Sequence, residues 1–309
     1  MTDLGELTDA LRCSRAWLAT AGCHPSASLR HALQGLLGVC ACDRALGEES
    51  ASAQLSDLVD AGLAKLGHEA EAGSFNPYAH DPKLLLVCLS VFEREGHNAP
   101  AIRTFADSIA GALASLPQIP ARQAGVAAVL DELGYPGISA AALPVPDEPD
   151  FDALLRGGPE AVRAACSSVA AATHFGARRI DVVRFEALRR ALPIVLLQSL
   201  RSYDLDTAAM LVRTSRYLRM RSSGRIQEGI AFLVDQQKPD GRFGFFAVET
   251  SALLRSQELA GFDEVLTLYL PVTSTCAWAL AEVLSDQCVL FARPRRRAAS
   301  ESQVPSYIS

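Results

Sequence analysis

Two acids one residue apart, Asp204 and Asp206, stand directly before the apolar-periodic run 207–220. An aspartate in that place caps a helix, its carboxylate accepting from the first free backbone N–H groups. His174, in Ala172-Thr-His-Phe-Gly176, falls where a helix should stop at Gly176. An imidazole there serves either as an acid/base or as a partner for the last helical carbonyls. Between residues 178 and 225 the arginines are dense, with Arg178, Arg179, Arg189, Arg190 and then Arg213, Arg216, Arg219, Arg221 and Arg225. On helices they form a solvated face or pair with Glu186 and Glu228. The functional alternative is an anion site for a diphosphate or a peptide carboxylate, which the guanidinium fork suits.

Metal chemistry has a thin basis. Cys40-Ala-Cys42-Asp43, with Cys23-His24 and His31, offers thiolates and imidazoles. A C-x-C pair on a helix splays its thiols by about 200°, and buried cysteines are ordinary small hydrophobes. No cofactor is expected; zinc or magnesium stand as the alternatives. The chain has no G-x-x-x-x-G-K-[ST], G-x-S-x-G or H-E-x-x-H, so P-loop, α/β-hydrolase and zincin chemistry have no support.

The elements that must position these groups are helices. Apolar residues recur at helical spacing almost everywhere, with no convincing period of two. Leu4, Leu7, Leu11, Trp17 and Leu18 form one stripe, ended by Gly22. Leu29, Leu33, Leu36, Leu37 and Cys40 form the next, ended by Gly47, and Leu55, Leu58, Val59, Leu63 and Leu66 a third, followed by Gly67. Further helices fit 83–95, 102–116, 122–133, 159–172, 182–200, 207–220, 225–234, 247–259 and 263–284. Pro193 and Pro271 should bend their helices rather than abolish them. About twelve helices in pairs pack as an open superhelix or as a closed α/α barrel. The four-proline stretch 135–150 reads as a long loop inside a single domain of residues 1–290, and 291–309 as a disordered basic tail.

Composition narrows the function classes. The 309 residues are 49% hydrophobic and carry 29 basic against 35 acidic side chains, a net charge of −6. That excludes general disorder and argues against a nucleic-acid partner bound through global charge. Eight cysteines spread over a chain this long point to reduced thiols. The acidic start lacks the features of a signal peptide. The most apolar stretch, 265–283, is broken by hydroxyls and Pro271, so a buried helix is expected rather than a membrane span. A cytoplasmic location follows as the expectation.

The segment Ile226-Gln-Glu-Gly-Ile-Ala-Phe-Leu-Val-Asp-Gln-Gln-Lys-Pro-Asp-Gly-Arg-Phe-Gly244 resembles the repeat of the terpenoid cyclase and protein prenyltransferase superfamily. In those proteins a helix ends in Q-x-x-D-G-x-W/F-G, matched by Gln236, Gln237, Asp240, Gly241, Phe243 and Gly244. The segment Ser202-Tyr-Asp-Leu-Asp-Thr-Ala208 looks like a shortened D-x-D-D-T-A, the motif with which class II cyclases protonate a polyene. The resemblance implies an α/α toroid around an apolar pocket. It makes Asp204 and Asp206 acid candidates and His174 an acid/base candidate. Tyr203, Arg213, Phe243 and Trp278, in the same half, become candidate substrate contacts. The middle acid of the family triplet has no counterpart. Cys276 stands where prenyltransferases place a zinc thiolate, yet no histidine follows it.

Two functions compete on this basis. One is an enzyme-like toroid binding a hydrophobic small molecule or peptide, with cyclisation or group-transfer chemistry in specialised metabolism. The other is a non-catalytic helical scaffold holding a partner protein or precursor peptide. Convergence of Asp204, Asp206 and His174 on one pocket favours the first; dispersal favours the second.

Overall fold

A computed structural model describes residues 3–48, 53–120, 123–138, 151–156, 158–220, 223–244 and 262–285. Among the described residues the protein is all-α, 76% helix, with no strand. Twelve α-helices are described: α1 (Leu4–Cys23), α2 (Leu29–Leu46), α3 (Ala53–Glu71), α4 (Pro82–Arg94), α5 (Pro100–Ala114), α6 (Ala124–Glu132), α7 (Phe151–Arg156), α8 (Gly158–Ala172), α9 (Glu186–Arg201), α10 (Leu205–Tyr217), α11 (Gly224–Asp235) and α12 (Phe262–Ser285). The expected helix at 247–259 and the tail 291–309 lie outside the described residues.

Local chemistry sets the starts. Asp3 and Glu6 form a reciprocal capping box on α1, and Ser28 with His31 does the same on α2. Asp81 caps α4 just ahead of Pro82, whose missing N–H costs nothing in a first turn. Pro193 and Pro271 lie inside α9 and α12, which continue through them.

Two expected stops are corrected. Gly22 is the penultimate residue of α1, and Gly67 lies inside α3. Gly22 is a contact point: a Cβ there would meet Leu58 Cδ2 at 2.5 Å and the Gly35 backbone at 3.5 Å. Only Gly47 acts as a stop, in the left-handed conformation at φ 70°.

The even-numbered helices touch in a cycle. Helix α2 packs on α4, α4 on α6, α6 on α8, α8 on α10, α10 on α12, and α12 returns to α2. The odd-numbered helices pack against these: α1 and α3 on α2, α5 on α4 and α6, α7 on α8, and α9 and α11 on α10. Helices on both sides of 135–150 thus share contacts, through α6 with α8 and α2 with α12. The closure is tight because α2 carries small residues toward both neighbours. A Cβ on Gly38 would meet Leu18 of α1 at 2.6 Å and Ser274 Oγ of α12 at 3.1 Å. The Ser274 hydroxyl donates to the Gln34 carbonyl at 2.8 Å. No described helix is long and apolar enough to cross a membrane.

The turn after α11 seals the same seam from outside. Gln237 Nε2 donates to the carbonyls of Ala10 (2.7 Å) and Gly241 (3.1 Å) and to Ser14 Oγ (2.8 Å). Asp240 accepts from the backbone N–H of Arg242, and Lys238 and Arg242 lie over the Tyr269 ring of α12. The Phe243 N–H donates to Thr273 Oγ1 at 2.9 Å. One turn therefore ties the end of α11 to both α1 and α12.

Candidate functional site

A cavity of about 1000 Å³ lies among the even-numbered helices, at the upper end of the range for small-molecule sites. Every helix of the cycle contributes to its wall, and among the described residues none of the odd-numbered helices does. First-turn residues of four of them reach it: Arg30 of α2, Lys83 of α4, Gly125 of α6 and Asp206 of α10. Arg30 and Asp81 are exposed, whereas Arg213, Tyr217 and Trp278 are buried. The cavity therefore runs from a charged, wet mouth to a buried floor. From Asp206 to Tyr217 along α10, the helical rise gives a depth of roughly 16 Å. Between the ends, Leu37, Val87, Met210 and Val272 supply apolar surface and Ser167, Ser168 and Thr275 hydroxyls.

The floor is a buried polar cluster. Arg213, 8% exposed, lies over the Trp278 ring, its Cζ 3.1 Å from the ring centre. Its Nε donates to Glu282 Oε2 at 3.4 Å and its Nη2 to the Tyr217 hydroxyl at 2.9 Å. That hydroxyl donates to Glu282 Oε1 at 2.8 Å, and Trp278 Nε1 donates to the same oxygen at 2.7 Å. Phe175 stacks on Trp278, 6.4 Å between ring centres. Burial pushes the Glu282 carboxyl above the ordinary range, against the pull of Arg213, Tyr217 and Trp278. Burial also lifts the neighbouring Cys166 thiol to about 11, although Thr214 and Arg213 draw it down. That thiol is a wall atom with little thiolate character.

The expected site residues part company here. Asp206 lines the cavity, as do Arg213 and Trp278. Asp204 does not. Its Oδ1 accepts from the Thr207 N–H at 3.1 Å, which makes it the N-cap of α10. Arg163 of α8 sits beside both acids, 3.8 Å from Asp204 and 3.6 Å from Asp206. Replacing Asp204 by alanine should lower stability by about 1 kcal/mol, the usual cost of a lost cap. Urea melts of Asp204→Ala and Asp204→Asn check this, and asparagine, an equally good cap, should keep most of the stability that alanine loses.

His174 goes elsewhere. It and Phe175 are both left-handed, at φ 47° and 54°, a strained pair for non-glycine residues. That turn sends Phe175 to the cavity and His174 toward the end of α6. His174 is 1% exposed, and its Nδ1 lies 2.9 Å from Glu132 Oε1 and 3.7 Å from Asp131 Oδ2. These three side chains could share a cation, as their ligand atoms lie within 4.8 Å of one another. Arg178 Nη2, 2.7 Å from Asp131, already supplies the positive charge there, so the group reads as an internal ion network. Tyr203 is half-exposed and packs on Phe232 at 6.0 Å, outside the cavity wall. Phe243 is fully buried beside Thr273, also outside it.

Sequence reasoning missed Tyr217, Glu282, Phe175 and Arg163. One signal was present: Glu282 is the single charged residue from position 265 to the end of α12. Lone charges in apolar helices are buried only with a partner. The arginines otherwise divide as a solvated face would. Arg178 pairs with Asp131 and Arg189 with Glu186, while Arg190 lies over Phe151. Among the described residues no cysteine belongs to a group that could share a metal: Cys40 receives a contact from Arg94, and Cys88 donates to the Leu33 carbonyl. Compared with known proteins, the chain matches no family model, no curated protein and no solved structure.

Proposed function

We propose that the protein is an α/α toroid that binds a hydrophobic small molecule in its central cavity. The observation that carries the reading is the wall: about 1000 Å³ enclosed by all six helices of a closed contact cycle and, among the described residues, by none of the flanking ones. Apolar side chains with a few convergent polar groups are the usual make-up of such a site. A terpenoid-cyclase-like or transferase-like activity in specialised metabolism stays within this proposal, with Asp206 its acid candidate on the wall.

Acid-initiated cyclisation receives less support than binding. A proton donor to a polyene needs a dry carboxylic acid. Asp206 is 36% exposed and ion-paired to Arg163, and Asp204 serves as a cap. The dispersal of His174 from the two acids also leans toward the scaffold alternative, in which the cavity holds a peptide segment of a partner.

Nile red, a neutral lipophilic dye, tests the reading. The wild-type chain should bind one equivalent with a blue-shifted emission. Ala170→Trp with Met210→Trp pushes two indoles into the cavity and should weaken binding at least tenfold, about 1.4 kcal/mol. Equal binding by the two proteins, with the variant folded by circular dichroism, places the dye elsewhere and removes the cavity as the ligand site.

A further inference from the structure

We infer that the floor of the cavity recognises an uncharged oxygen acceptor, a carbonyl, on a lipophilic ligand, with the Arg213 guanidinium as the donor. The inference rests on the cavity being the ligand site and adds the chemistry of the ligand's buried end. A guanidinium has five N–H groups. The Nε–H of Arg213 is taken by Glu282 and one Nη2–H by Tyr217. Among the described residues its Nη1 has no hydrogen-bond partner, and it is not sealed inside protein. Arg213 lines the cavity with its side chain nine-tenths buried, so these donors open into the cavity.

The arrangement is built rather than accidental. The Trp278 ring lies under the Arg213 Cζ, Glu282 accepts from its Nε, and Tyr217 bonds both Arg213 and Glu282. A donor pair held this way is pre-organised, so a ligand pays little ordering entropy to meet it. An apolar ligand that fills the space strips water from Nη1 and leaves its N–H groups unmet, which is unfavourable.

Charge balance selects among acceptors. Arg213 is already neutralised by Glu282. A carboxylate ligand would leave one net negative charge in a desolvated site, which buried sites disfavour. A carbonyl oxygen accepts the same N–H groups and leaves the balance unchanged. The mouth, with Arg30 and Lys83 beside Asp81 and Asp206, leaves the ligand's outer end in contact with water and charge.

Three probes of equal chain length separate the outcomes: 2-tridecanone, tridecane and tridecanoate. Their binding is followed through Trp278 emission in a Trp17→Phe chain, where Trp278 is the single indole. The ketone should bind at least tenfold tighter than the hydrocarbon, about 1.4 kcal/mol, and tighter than the carboxylate. Its carbonyl stretch should shift to lower frequency when bound. Arg213→Lys keeps a cation opposite Glu282 but loses the fork, and should erase the ketone's advantage over tridecane. Where that variant does not fold, the ranking of the probes on the unaltered floor decides alone.

Equal binding of ketone and hydrocarbon overturns carbonyl recognition and leaves the cavity as a ligand site. Tightest binding by tridecanoate overturns it in favour of an anion site. Failure of all three to bind removes the cavity reading as well.

Discussion

Glu282→Ala should be the most damaging single substitution at the cavity floor, costing roughly 3–5 kcal/mol, the usual loss when one partner of a buried ion pair is removed. The reason is an asymmetry between the partners. Without Glu282, the Arg213 guanidinium stays charged, because it does not deprotonate in proteins. Without Arg213, the Glu282 carboxyl can escape its predicament by taking up a proton. Arg213→Met should therefore cost less, and its cost should depend on pH. Burial already raises Glu282, and Arg213 supplies the first of the pulls against that rise. A carboxyl with a raised folded pKa holds more protons folded than unfolded between the two values. Its contribution is fullest below the ordinary carboxylate value and is lost as pH climbs through the folded one. The deficit of Arg213→Met should thus be largest near pH 8 and shrink toward about pH 5, whereas that of Glu282→Ala should run the other way, shrinking as pH rises through the raised folded value. Arg213→Met with Glu282→Leu should recover most of the loss, since apolar replacements of a buried pair are often neutral or better. Denaturant melts at several pH values read all three, and a pH-independent Arg213→Met deficit would contradict the account.

Most of the helices could be read in the sequence, because each one is a local matter of periodicity and caps. The run 83–95 is found at Pro82–Arg94, and 263–284 at Phe262–Ser285. Asp204 as a cap was legible for the same reason: the signal is an aspartate followed by an apolar run, all within one turn. The errors are also local. The six-residue α7 follows a proline-rich stretch and is too short to show a period. Gly22 and Gly67 read as stops because glycine is usually punctuation, yet Gly22 serves an approach between α1 and α2 that only the folded chain reveals.

The site was far less legible, since its members are far apart in sequence. Ser274 meets Gln34 across 240 positions, and Glu282 meets Arg213 across 69. No periodicity says that α12 turns one face to α2 and another to α10. Nor does it say that two left-handed residues after α8 send Phe175 one way and His174 another. Arg213 was singled out as one of a crowd of arginines; what distinguishes it is the acid on a distant helix.

The motif that best resembles a known repeat does its work in the architecture. Gln237 and Gly241 bond to α1, and Phe243 to α12, so the turn fastens the last helix pair to the first. Gly241 is where this fastening is least forgiving. Its φ is 94°, a conformation that side chains rarely adopt, and a Cβ there would lie 2.1 Å from the Cys13 carbonyl oxygen and 3.0 Å from the Ser14 nitrogen. Both obstacles are backbone of α1, which cannot swing aside as a side chain would. Strain of about 1–3 kcal/mol and overpacking of about 1–3 kcal/mol should therefore add in Gly241→Ala. Gly134→Ala separates the two effects: its φ is 81°, but nothing lies within 4 Å of its Cβ position. It should show the strain alone, about 1–3 kcal/mol. The difference between the two variants measures how closely the turn is pressed on α1. If the contact cycle is closed in solution, Gly241→Ala should also loosen α1 from α12, seen as faster amide exchange along both helices with the α4–α6 contact unaffected. Equal stability of the two alanine variants would mean that the turn stands off from α1 and that the seam is open.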